Sequence, residues 1–184
     1  LDAFHVVKLA TKVVDDVRRR VQQEIHGHRG RKNDPLYRIR NILRAGAENL
    51  TDRQNARLAA AWAADERHLE VEVAWRCAQQ VRSAYHHDTH AAGRVVAEKI
   101  LESFTSCPIP EVARLGRTLK QWRTEFLGYF DTGGASNGGN SAGNSFFQPP
   151  KRVSMAQGRA GKRTRISSCG SLRVTFNGSQ VPGG

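Results

Sequence analysis

Between Phe4 and Tyr129, apolar residues recur every three or four positions, in stretches separated by glycine, proline and capping residues. That rhythm is the spacing of one face of an α-helix, and few runs show the period of two that a half-buried strand requires. The first stretch predicts a long helix from Phe4 to about His26, with Val6, Leu9, Ala10, Val13, Val17, Val21 and Ile25 on one face. Its first residues could also end a strand. Pro35 opens a short helix carrying Leu36, Tyr37, Ile39, Ile42 and Leu43, since proline suits a first helical turn. Thr51 with Gln54 three residues later is a capping-box signature, and the helix behind it runs through Leu58, Ala61 and Trp62. Further helices are expected over Leu69–Tyr85, Ala91–Phe104 and Glu111–Tyr129, the last with Val112, Leu115, Leu119, Trp122, Phe126 and Tyr129 along one stripe.

The pattern stops at Thr132. All 17 acidic residues of the 184-residue chain lie at or before Asp131, while the following 53 residues hold seven basic residues and 11 of the 17 glycines. Such a segment buries too little apolar surface to offset its ordering entropy, so residues 132–184 read as a Gly/Ser-rich basic tail, largely disordered, with at most a short strand at Leu172–Phe176. Residues 1–131 read as one mainly α body. The net charge of +12 favours a polyanionic partner, with binding that weakens in salt. No apolar run approaches the roughly 20 residues of a membrane span. Cys77, Cys107 and Cys169 are widely spaced and form no Cys-x-x-Cys pair, which points to reduced thiols in a cytoplasm.

Two stretches carry candidate chemistry. Asp2 precedes an aromatic, a histidine and a valine-rich run, and on residue type alone it caps the following helix. Arg18, Arg19 and Arg20, then Arg29, Arg31 and Lys32 in the loop after His26, could track a phosphate backbone or simply form a solvated helix end and loop. The run His86-His87-Asp88-Thr89-His90 has metal-like spacing but no second ligand pair, so a loop between helices is the better reading. Trp62, Trp75 and Trp122 each sit on an apolar stripe, which favours core packing over base stacking.

The segment Asp2-Ala3-Phe4-His5-Val6-Val7-Lys8 resembles the surroundings of the second catalytic aspartate in a class of bacterial insertion-sequence DDE transposases. Ala113-Arg114-Leu115-Gly116-Arg117-Thr118-Leu119 through Trp122 to Tyr129-Phe130 resembles a segment shortly before that family's third carboxylate. Ser136-Asn137-Gly138 resembles the start of the Asn-Gly-x-x-Glu stretch that carries it. The resemblance implies a ribonuclease H-like catalytic domain, of which this chain would be the helical portion. It implies that Asp2 is a catalytic metal ligand, one of three carboxylates holding two Mg²⁺ ions, and that His5 and Lys8 beside it contact DNA, His5 alternatively orienting the site. It further implies insertion-sequence ends as the partner and a homo-oligomer in the full-length family. Only Asp2 matches the carboxylate pattern. Gly139, Asn140, Ser141 and Ala142 follow Asn137-Gly138 where a Glu is expected, and Asp131 falls before that position. The chain opens inside a motif, which suggests a piece of a longer protein, with a change of reading frame near Gly138 and catalytic inactivity as expectations. The alternatives are a non-enzymatic basic helical module that binds nucleic acid, and a helical scaffold for a protein contact.

Overall fold

The computed structural model describes residues 2–132; the tail, its candidate strand and Cys169 lie outside them. Seven α-helices, joined by loops and three short 3₁₀ turns, make up the described residues, and no strand occurs among them. The ribonuclease H-like sheet is therefore not represented here. Helix α1 spans Ala3–His26, α2 Pro35–Arg38, α3 Asp52–Trp62, α4 His68–Ala84, α5 His90–Ser103, α6 Pro110–Gln121 and α7 Arg123–Asp131.

The helix boundaries follow local chemistry. The strand alternative for the first residues fails: Asp2 is extended, at φ −74° and ψ 135°, but its side chain accepts from the Phe4 N–H and α1 begins at Ala3. At the other end Gly27 takes a left-handed φ of 71° and closes α1 by donating its N–H to the Gln23 carbonyl. The Thr51–Gln54 capping box forms with both of its reciprocal bonds. Thr89, inside the histidine-rich loop, caps α5 by accepting from the Ala92 N–H.

Helix α1 packs most extensively on α4, α4 on α5, and α6 on both α1 and α5. The core joins Val6, Ala10, Val14, Val17 and Val21 of α1 to Val71, Ala74, Ala78 and Val81 of α4, with Ile100, Leu119 and Phe126 from later helices. Close approach of α6 to the 3₁₀ turn at 104–106 requires Gly116, where a Cβ would sit 2.6 Å from the Thr105 nitrogen and 2.7 Å from the Phe104 carbonyl carbon.

The single helix expected over Glu111–Tyr129 is two helices. Trp122, at φ −98° and ψ 30°, interrupts it. Beyond the break α7 packs chiefly on α5, and Phe126 and Phe130 become buried while Trp122 is 37% exposed. Trp122 is thus a surface residue rather than the core residue its stripe suggests. Trp62 and Trp75 do pack against the core, with ring centroids 6.5 Å apart.

Candidate nucleic-acid interface and the Asp2 carboxylate

Helix α1 separates the two stretches singled out in the sequence. At 1.5 Å per residue a helix of this length is about 36 Å long, so Asp2, His5 and Lys8 stand at one end and Arg29, Arg31 and Lys32 at the other. The fold does not bring them into one site.

At the first end the Asp2 Oδ2 oxygen lies 3.2 Å from His5 Nδ1, while Oδ1 accepts from the Phe4 N–H at 3.2 Å. Both side chains are substantially solvent-exposed, and Lys8 is exposed beside the Phe4 ring. Tyr85, at the end of α4, belongs to the same end of the bundle. Burial raises the pKa of its hydroxyl, with the neighbouring Tyr129 and the Asp2 carboxylate adding to the effect. The Tyr85 ring stacks on Phe130 at 5.3 Å and meets Tyr129 edge-on at 5.0 Å. Its hydroxyl is buried with no hydrogen-bond partner among the described residues. Asp131 pairs with Arg94.

A magnesium ion does not fit this end as described. Two-metal chemistry needs several converging carboxylates, and no group of three or more His, Cys, Asp or Glu side chains that could hold a metal exists among the described residues. Asp2 is one carboxylate, already engaged by a backbone N–H and His5.

The three consecutive arginines of α1 have different surroundings. Arg18 is buried, at 4% exposure; it donates to Asp15 Oδ1 at 2.7 and 3.0 Å and to Gln22 Oε1. Arg20 ties three helices together. It donates to Glu111 of α6 at 2.7 Å, to Glu70 of α4 at 2.6 Å and to Glu24 of its own helix at 3.1 Å. These bonds, that to Glu111 foremost, raise the already high pKa of its guanidinium against the opposing effect of burial. Arg18 and Arg20 therefore serve the fold, and the expectation that they track phosphates is corrected to that extent. Arg19 is about half exposed and pairs with Asp15 at 2.7 Å.

The basic loop is held rather than free. Buried Gln22 donates to Asp34 Oδ2 at 3.3 Å, and the same oxygen accepts from the Arg31 N–H at 2.6 Å. Arg29, Arg31 and Lys32 are exposed, and their side chains form no ion pair among the described residues. Beside the loop Lys32 joins Tyr37, Arg38, Arg40 and Arg57 around an open cleft. Reading the sequence for motifs misses the last four. A charge count could have found two of them, Arg38 and Arg40: between Glu24 and Glu48 the chain holds six basic residues and the single acid Asp34.

The described part contains no helix long and apolar enough to cross a membrane. Comparison with known proteins gives one finding. The model of the DDE_Tnp_ISL3 family, described as Transposase, matches residues 1–155. Neither the curated proteins nor the solved structures contain a match to the chain.

Proposed function

The chain belongs to this transposase family, and we propose that its helical body is the insertion between the second and third carboxylates of the catalytic domain, with Asp2 as the second of the three. The observation that carries this reading is the return of the chain. Tyr129 and Phe130 at the end of α7 pack on the Tyr85 ring, and the Asp2 carboxylate at the start of α1 is near enough for its charge to act on the Tyr85 hydroxyl. A helical insertion in a sheet-based domain has to leave the sheet and come back to it at nearly the same place, because the ligands on either side of it serve one site.

By this reading the residues described here hold the shape of the domain and contact insertion-sequence DNA in the bacterial cytoplasm. With one matched carboxylate, the chain alone does not cut or join DNA. A second reading, a basic helical module that binds nucleic acid without any reaction, draws on the unpaired Arg29, Arg31 and Lys32. The insertion reading is tested by nuclear Overhauser spectroscopy on the isotope-labelled chain. Ring-to-ring contacts from Tyr85 to both Tyr129 and Phe130 are expected, with Asp2→Asn perturbing the Tyr85 resonances. If the Tyr85 ring shows neither contact, the reason for treating the body as an insertion is gone.

A further inference from the structure

Beside the C-terminal end of α1, an open cleft of about 490 Å³ is lined by Lys32, Tyr37, Arg38, Arg40 and Arg57. It presents four cations, one aromatic ring and no carboxylate. None of the four forms an ion pair among the described residues, whereas Arg18, Arg19 and Arg20 all rest on acidic side chains. Backbone carbonyls hold two of the three cleft arginines instead. Arg40 Nη1 donates to the Tyr37 carbonyl at 3.0 Å and Arg57 Nη2 to the Arg38 carbonyl at 2.9 Å. A carbonyl fixes the direction of a guanidinium without neutralising it, so two forks are pre-oriented while keeping their full charge. Four like charges in one cleft repel, and no carboxylate lines it.

We infer that this cleft is a clamp for the phosphate backbone of duplex DNA, set apart from the end of the bundle that carries Asp2. The inference rests on the DNA-acting reading above and adds a place to it. The Arg40 guanidinium covers the Tyr37 ring, 4.1 Å from its centroid. That ring face is closed to a stacked base, so the cleft suits phosphates rather than exposed bases. Its contacts carry no sequence information and fix register on the duplex. The neighbouring loop is held in place beside the cleft. Gly30 lies so close over Gln22 and Tyr37 that a Cβ there would sit 2.7–2.9 Å from their side chains, and Asp34 pins the loop from the other side.

The test is fluorescence anisotropy of the full chain with labelled duplex DNA across about 50 to 200 mM KCl. Three variants are compared with wild type. The first carries Arg38→Gln, Arg40→Gln and Arg57→Gln. The second carries the same positions as Lys. The third removes an equal charge from α6 and α7 through Arg117→Gln, Lys120→Gln and Arg123→Gln, all exposed and without ion pairs among the described residues. The Gln cleft variant is expected to lower the salt slope by about 2.7, at about 0.9 per lost phosphate contact, and to weaken binding at low salt by more than about tenfold. The Lys variant should keep most of the slope, and the α6–α7 variant should lose less than about 1. Equal losses in the cleft and α6–α7 variants, or a Lys variant as weak as the Gln variant, would overturn the clamp alone. If the wild-type chain binds no duplex at all, the clamp and the DNA-acting reading fall together.

Discussion

Replacing Arg20 by Met tests how far the α1 arginines serve the fold. Met keeps much of the apolar stem and removes the guanidinium that joins Glu111, Glu70 and Glu24. The Glu111 side chain is only 13% exposed. Burial alone would push its carboxyl up; the bond from Arg20, its own backbone N–H and the Arg20 charge outweigh that and hold it below its ordinary value of 4.5. Without Arg20 a largely desolvated carboxylate loses its partner and faces Glu70 and Glu24. A fully buried broken pair costs about 3–5 kcal/mol. The partial exposure of Arg20 and Glu70 reduces this to about 2–3 kcal/mol, near the contribution of charged hydrogen bonds. The sign with pH is fixed by the lowered Glu111 pKa. Its stabilising contribution is complete above about 4.5 and is lost as pH falls through the folded value. In Arg20→Met, protonation of Glu111 instead relieves the variant, so the gap to wild type should narrow below about pH 4.5. Urea unfolding of both chains, followed by circular dichroism at neutral and acidic pH, measures the gap. Arg20→Lys should recover only part of it, because an ammonium cannot reproduce the fork across three carboxylates. A neutral-pH difference under about 0.5 kcal/mol, or one that does not change with acid, would refute the assignment.

Other outcomes follow from single contacts. The Cys107 thiol lies against that of buried Cys77, and this hydrogen bond, with another from the Ile109 backbone, brings it down to about 7 despite partial burial. Its alkylation by iodoacetamide, followed by peptide mapping, should therefore rise through about pH 7, and Cys77→Ala should move that rise upward; an unchanged profile would contradict the contact. Gly116→Ala should destabilise by about 1–3 kcal/mol, since a Cβ meets the Thr105 and Phe104 backbone. Gly128→Ala, with nothing within 4 Å, should stabilise by up to about 1 kcal/mol, and thermal melts of the two variants that shift in the same direction would show the packing argument to be wrong. Translating the coding DNA beyond Gly138 in the other forward frames should give a Glu within a few residues, followed by an amphipathic helix. The family match runs to residue 155, past the proposed change of frame, and the frames decide between the two.

Local signals in the sequence carried most of the helices. The Thr51–Gln54 box and Pro35 are complete within a few residues, and the structure places helix starts at or beside them. The break at Trp122 was not legible, because Leu119, Trp122 and Phe126 keep helical spacing across it. Periodicity records which side of a helix is apolar; it does not record that α7 finds its partner on α5. The α1 arginines show the same limit for charge. Arg20 is bonded to a glutamate 91 residues later, and a run of three arginines carries no sign of that. Arg57 reaches the cleft only because α3 folds back beside α2, 19 residues after Arg38 in the chain. By contrast Asp2 was legible as a helix cap from residue type, and as a possible metal ligand only through family resemblance. The structure bears out the first role and leaves Asp2 without a carboxylate cluster among the described residues.

The most direct measurement incubates the purified chain with duplex DNA carrying the flanking insertion-sequence ends, with Mg²⁺ or Mn²⁺, and resolves the complex on a native gel and the strands on a denaturing gel. The account predicts a shifted, salt-sensitive complex and intact strands, in the wild type and in Asp2→Ala alike. Metal-dependent nicking by the wild type that disappears in Asp2→Ala would contradict it.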